Sequence, residues 1–127
     1  MVGIVVVSHS RDIAFGTVAL ASQMAGPEVR IEGAGGTADG GLGTDAERVR
    51  AAIDAADAGD GVIVLGDLGS AILTARAVLA GQENGHVRLV DAPLVEGAVA
   101  AAVTASAGLP IDDVEHAARE AAGAAKL

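Results

Sequence analysis

One stretch constrains this chain more than any other: Val2-Gly3-Ile4-Val5-Val6-Val7, followed at once by Ser8-His9-Ser10. Residues 2–7 are apolar, rich in β-branched side chains and without helical periodicity. That pattern predicts a strand buried on both faces, as strands of parallel sheets are. The strand stops at Ser8, and residues 12–24 predict a helix. His9 therefore stands at the carboxyl end of a central strand and at the amino end of the next helix. In open α/β sheets that crevice is where ligands bind. A helix start carries roughly +0.5 of a charge and unpaired N–H donors, so it welcomes an anion. A titratable ring beside an anion site points to phosphoryl chemistry.

The remaining elements repeat the pattern. Ile13, Thr17, Leu20 and Met24 recur at spacings of three and four and predict the inward stripe of the first helix. Ser10 or Asp12 caps its start and Gly26-Pro27 ends it. Residues 29–32 predict a short strand near the sheet edge. Residues 33–44, Gly-Ala-Gly-Gly-Thr-Ala-Asp-Gly-Gly-Leu-Gly-Thr, form a glycine-rich loop. Two readings of it compete: a flexible connector, or a loop whose bare amides approach a phosphoryl group or partner. It has neither nucleotide-loop pattern. Thr44-Asp45-Ala46-Glu47 reads as a capping box for a second helix running to residue 58, with Val49, Ile53 and Ala56 inward. Residues 61–66 predict a third strand, ending at Asp67-Leu68-Gly69-Ser70. A third helix follows over 70–79, with Ile72, Leu73 and Val78 facing the core, and Gly81 and Asn84-Gly85 break it. Residues 86–90 predict a fourth strand. Asp91 caps and Pro93 opens a fourth helix reaching residue 107, and a fifth covers 111–124. The alternation implies one domain over residues 1–127: an α/β, three-layer, doubly wound and mainly parallel sheet of flavodoxin-like strand order 2-1-3-4.

Composition narrows the function classes. The core must be built from Val, Ile, Leu and Ala, because the chain has one Phe and no Tyr or Trp. Helices must then approach the sheet closely. Absence of cysteine excludes disulfides and thiolate metal sites. A formal charge of −9, with Lys126 the only lysine, argues against nucleic-acid and anionic-membrane partners. No apolar run reaches the length of about 18 residues that a membrane span needs, and the start lacks the basic region of a signal peptide. The expectation is a cytoplasmic protein.

Three strand-end segments meet at one sheet edge: Ser8-His9-Ser10, the glycine loop, and Asp67-Leu68-Gly69-Ser70. His9 alone reads as a helix-start polar residue and Asp67 alone as a turn residue. Together, on neighbouring strand ends, they read as a nucleophile and the carboxylate that orients it. Asp67 is expected to accept from Nδ1–H, leaving Nε2 as the phosphorylated atom, and to carry little folding energy. Ser8, Ser10, Thr37 and Ser70 can donate hydroxyls to phosphoryl oxygens, though each serves equally as a cap or turn residue. With Gly69 at a helix start they are the phosphoryl-binding candidates. His86 is expected to be solvated at the far end of an outer strand and His116 to lie on the surface. Three scattered histidines do not have metal-site spacing.

Four stretches carry a family resemblance: Val5-Val6-Val7-Ser8-His9-Ser10; Gly35-Gly36-Thr37 with Asp39-Gly40 and Gly43-Thr44; Leu65-Gly66-Asp67-Leu68-Gly69-Ser70-Ala71; and Ala92-Pro93-Leu94-Val95-Glu96-Gly97-Ala98-Val99. In these the chain resembles the phosphotransferase subunit of phosphoenolpyruvate-dependent dihydroxyacetone kinase, within the mannose-type enzyme IIA superfamily. The resemblance implies a homodimer of doubly wound sheets. It implies that a phosphoryl group passes from phosphoenolpyruvate through enzyme I and the phosphocarrier HPr to His9. From there it goes to ADP held on the kinase's nucleotide subunit. Separate carriers are expected, no cofactor or metal is implied for this chain, and any Mg²⁺ arrives with the partner's nucleotide. An enzyme IIA component of a mannose-type sugar transporter shares the chemistry but has a transporter IIB partner; residues 35–44 and Val95-Glu96-Gly97 favour the kinase subunit. A flavodoxin-like binding module without a covalent intermediate is the non-enzymatic alternative.

Overall fold

The computed structural model describes residues 1–82 and 85–127. Its sheet has four parallel strands, β1 (Gly3–Ser8), β2 (Ile31–Gly35), β3 (Val62–Gly66) and β4 (Val87–Leu89), in the order β2-β1-β3-β4. The expected order 2-1-3-4 is the one observed. Helices α1 (Arg11–Ala25), α2 (Ala46–Ala56), α3 (Gly69–Leu79), α4 (Leu94–Ser106) and α5 (Ile111–Glu120) connect or cover it, and a short 3₁₀ turn, Ala121–Gly123, follows. No described helix is long and apolar enough to cross a membrane.

Strand periodicity divides the core in two. Ile4, Val6, Ile63 and Leu65 face α1, α4 and α5, whereas Val5, Val7, Val62 and Val64 face α2 and α3. On the helix side the buried residues are mostly alanine: Ala21 of α1, Ala98, Ala101, Ala102 and Ala105 of α4, Ala52 and Ala56 of α2, Ala71 and Ala75 of α3. Small side chains let helix backbones lie close to the sheet, so valine and isoleucine fill the gap without aromatic rings.

That rule corrects several sequence expectations. The buried residues of α1 are Ala14, Thr17 and Ala21, while Ile13, Leu20 and Met24 are exposed. The inward stripe is offset from the one that hydrophobicity selects, because close packing favours the small residues. Leu73 of α3 likewise faces solvent. The second strand starts two residues later and ends three residues later than expected, taking in the first three residues of the expected glycine loop, because Ile31 to Gly35 pair with Ile4 to Ser8. Its glycines answer to α1: a Cβ on Gly35 would stand 2.7 Å from the Ser10 carbonyl oxygen. Asp45, not Thr44, caps α2, accepting from the Glu47 amide at 2.9 Å. Pro93 occupies the N-cap of α4 in place of Asp91. Ser10 caps α1 and Gly26 ends it, as expected. The expected break at Asn84-Gly85 falls partly outside the described residues, since Asn84 is not among them.

The tightest approach is at Gly3, where an added Cβ would lie 2.0 Å from the Ala56 carbonyl oxygen. Nothing there is flexible, since the obstacle is helix backbone. Gly3→Ala is expected to destabilise the fold by at least about 1–3 kcal/mol, read as a lowered urea midpoint at unchanged m-value. An unchanged midpoint would show that α2 does not sit against β1 in this way.

Candidate functional site

β1 and β3 are neighbours, so the segments that follow them emerge side by side. The Asp67 amide donates to the Val7 carbonyl at 3.2 Å, extending the pairing by one residue past β3. This brings the Asp67 carboxylate under the end of β1. Its Oδ2 accepts from the Ser8 hydroxyl at 2.5 Å, and its Oδ1 accepts from the Leu68 amide at 2.6 Å and the His9 amide at 3.3 Å. Ser8 is fully buried, and its Oγ also accepts from the Ser10 amide at 3.0 Å. One carboxylate thus fixes the backbone on both sides of His9.

The ring of His9 has a different partner from the one the sequence predicts. Its Nδ1 is hydrogen-bonded to the Ser70 hydroxyl at 3.2 Å. Asp67 does not bond the ring; its carboxylate takes three other donors, from Ser8, His9 and Leu68. Asp67 therefore orients His9 through the backbone, and Ser70 contacts the ring itself. Among the described residues Nε2 has no hydrogen-bond partner. The ring is half-buried and stands between two helix starts, those of α1 and α3. The start of α1 is capped, Ser10 Oγ accepting from the Ile13 amide at 3.4 Å. Leu68, the N-cap of α3, has no capping side chain. The first-turn amides of α3, beginning at Gly69, are thus left for an outside acceptor.

The glycine loop is attached to the same point. The Gly43 amide donates to the His9 carbonyl at 2.8 Å, and Gly36 bridges to Thr44. Thr37 closes the loop on itself. Its amide donates to the Gly41 carbonyl at 2.9 Å, its hydroxyl bonds the Asp39 carboxylate, and that hydroxyl accepts from the Gly41 amide at 3.0 Å. Those contacts hold the Asp39 carboxyl below its ordinary range, the Thr37 hydroxyl first and the Gly41 amide second. The structure brings Ser8, His9, Ser10, Asp67, Gly69 and Ser70 to one edge, whereas the Thr37 hydroxyl is spent inside its loop. Sequence reasoning missed the Gly43 tether, which a run of glycines conceals.

The other histidines lie elsewhere. His86 is not simply solvated: its Nε2 lies 3.0 Å from both Asp57 carboxylate oxygens. The Gly59 amide first, and His86 second, keep the Asp57 carboxyl below its ordinary range. His116 is on the surface, 2.9 Å from Glu120 of its own helix. No group of three His, Asp or Glu among the described residues is arranged to hold a metal.

A parallel doubly wound sheet that presents a histidine at the end of its central strand, between two helix starts, defines a class of α/β proteins able to handle an anion at that edge. Residues 3–115 match the family model described as the PTS system fructose IIA component, and the chain belongs to this mannose-type enzyme IIA family. It is similar to the phosphoryl donor subunit DhaM of the PEP-dependent dihydroxyacetone kinase of Escherichia coli (strain K12). Those two are 43% identical over 120 residues, which are 90% of this chain and 25% of that one. It is also similar to the DhaM of PEP-dependent dihydroxyacetone kinase 2 of Listeria innocua, 40% identical over 106 residues, 81% of this chain and 85% of that one. The chain thus spans about a quarter of the length of the Escherichia relative and most of the Listeria one. The crystal structure of the unknown-function protein EF1359 matches with a TM-score of 0.83 at 37% identity, covering 94% of this chain and 93% of that one.

The clasp of three hydrogen bonds on the Asp67 carboxylate gives this residue a structural role that the expectation of little folding energy leaves out. Asp67→Ala leaves the buried Ser8 hydroxyl without its acceptor, so stability is expected to fall by about 1–3 kcal/mol. Asp67→Asn, which keeps an acceptor oxygen, is expected to lose less. Equal urea midpoints for wild type and Asp67→Ala would contradict the clasp.

Proposed function

We propose that this chain is a phosphoryl carrier, loaded on His9 from phospho-HPr and unloaded to ADP on the nucleotide subunit of a dihydroxyacetone kinase. The observation that carries the reading is the His9 ring, tied at Nδ1 to Ser70 and, among the described residues, unpartnered at Nε2 beside the uncapped start of α3. With Nδ1–H donating to Ser70 Oγ, Nε2 presents its lone pair. Nε2 attacks the phosphorus of the incoming phosphohistidine, an N–P bond forms on His9, and the donor's N–P bond breaks with its electron pair returning to the donor ring. In the second transfer a terminal phosphate oxygen of ADP attacks, and the N–P bond on His9 breaks. Amides at the starts of α3 and α1 are suited to hold the phosphoryl oxygens, with the Ser10 and Ser70 hydroxyls beside them.

Asp67 acts in this scheme from beneath the ring, as a positioning residue. Its oxygens take the Ser8 hydroxyl and the His9 and Leu68 amides rather than the ring. The names of the DhaM relatives favour a kinase partner, whereas the description of the family model favours a sugar-transporter IIB partner. The kinase reading is preferred because relatives of that name match at 43% and 40% identity and because residues 35–44 and Val95-Glu96-Gly97 carry the resemblance to the kinase subunit. The proposed working unit is a cytoplasmic homodimer, in which exposed Leu20 and Met24 of α1 supply apolar surface.

Incubation with enzyme I, HPr and phosphoenolpyruvate is expected to add the mass of one phosphoryl group to the wild type and nothing to His9→Ala. Label retained by that variant, or found on His86 or His116, contradicts the proposal. Subsequent loss of label to the ADP-loaded kinase subunit, and not to a IIB protein, is expected. Sedimentation at micromolar concentration is expected to give twice the chain mass.

A further inference from the structure

A cleft of about 880 Å³ runs along β4 at the margin of the sheet. α3 walls it on one side and α5 on the other, since these helices cover opposite faces of the sheet. His9 does not line it. β4 is the last strand in the order β2-β1-β3-β4, so among the described residues one of its edges has no partner strand. The His86 carbonyl and the Val90 amide bond β3. Backbone groups alternate in direction along a parallel strand, so the amides and carbonyls of Val87 and Leu89 point the other way, toward the cleft that both residues line. Those groups call for a partner from outside the sheet.

The charges of the cleft differ from those of the rest of the molecule. Seventeen acidic residues against eight basic ones make an anion unwelcome over most of the surface. Three of those eight line this one cleft: Arg76, Arg88 and Arg119. Arg88 is held by Asp112 at 2.6 Å and by Glu115 at 3.3 Å, and Arg119 shares Glu115 at 3.1 Å. A carboxylate placed between two guanidiniums fixes both. Arg76 of α3 has no carboxylate partner among the described residues, and its five N–H donors are left for an acceptor that the chain does not supply. Asp91, past the end of β4, also lines the cleft and turns an anion away from that end. Beside Arg76 on α3, Ile72 and Leu79 add apolar surface, continued by the side chains of Val87 and Leu89 on the same face of the sheet.

We propose that this cleft binds a small organic oxyanion, a site separate from His9. An apolar body lies against Ile72, Leu79 and Leu89, and its anionic oxygens are taken by the Arg76 guanidinium and the outward amides of β4. Its volume is that of a site for a small molecule of cofactor size.

Two probes separate the charge from the apolar body: 8-anilinonaphthalene-1-sulfonate, and N-phenyl-1-naphthylamine, which has the same body without the sulfonate. The chain has no Trp or Tyr, so probe fluorescence is read against a dark protein. The sulfonate is expected to bind the full wild-type chain and, in nitrogen–proton NMR, to shift the amide signals of Val87 and Leu89. In Arg76→Gln its Kd is expected to rise about 10-fold, and in Arg76→Lys, which keeps the charge, by less. The uncharged probe is expected to bind wild type and Arg76→Gln alike. Arg76 is exposed and makes no ion pair among the described residues, so both variants are expected to keep the wild-type circular dichroism spectrum. A sulfonate Kd unchanged in Arg76→Gln overturns the proposal, as does an equal loss for both probes. So does a wild type whose Val87 and Leu89 amides stay unmoved by the sulfonate, the result expected if a second copy of the chain covers β4.

Discussion

The Asp67 carboxylate is the interaction on which the His9 edge depends. It stands at the end of one central strand and takes three hydrogen bonds from the end of that strand and its neighbour. A parallel sheet has to release its strands at the same edge, where backbone groups lose their ladder partners. Here a side chain replaces the missing ladder. Ser8 is buried, so the bond to its hydroxyl is shielded from water and worth more than a surface contact. With Ser8 and the His9 amide fixed, the imidazole leaves the strand end where its Nδ1 meets the Ser70 hydroxyl at 3.2 Å.

Close packing makes that edge possible. Alanines on α1, α2, α3 and α4 and the bare Cα of Gly3 let the helices sit against the sheet. Gly35 does the same at the site, passing beneath the Ser10 carbonyl where any side chain would collide. The start of α1 is thereby pressed onto the end of β2. The glycine loop leaving β2 is then near enough for Gly43 to bond the His9 carbonyl. Glycine in this loop is a condition of proximity, which joins the two readings the composition left open: part connector, part tether.

Strand order, the neighbourhood of β1 and β3, and the convergence of His9 and Asp67 were legible because buried β-branched runs and their polar stops survive without context. The contact between Asp67 and the ring was not legible. A carboxylate beside a histidine suggests a pair, but the nearer donors were a buried serine hydroxyl and two amides, which a sequence does not rank by distance. The face of α1 was misread for a related reason. Hydrophobic periodicity points Ile13, Leu20 and Met24 inward along with Thr17, whereas the helix buries Ala14, Thr17 and Ala21 and packs Val18 and Ala25 against the core. The large side chains left outside, on α1 and at Leu42, Leu68 and Leu73, follow from a core too shallow to hold them.

The central claim is that Ser70 holds Nδ1 so that Nε2 does the chemistry. Nitrogen NMR of the His9 ring tests it most directly, through long-range couplings in the resting protein and phosphorus coupling after loading. The account predicts the Nδ1–H tautomer in the wild type, and a phosphoryl group on Nε2. In Ser70→Ala the proton is expected to redistribute between the two nitrogens. A resting ring protonated at Nε2, or a phosphoryl group on Nδ1, would contradict it.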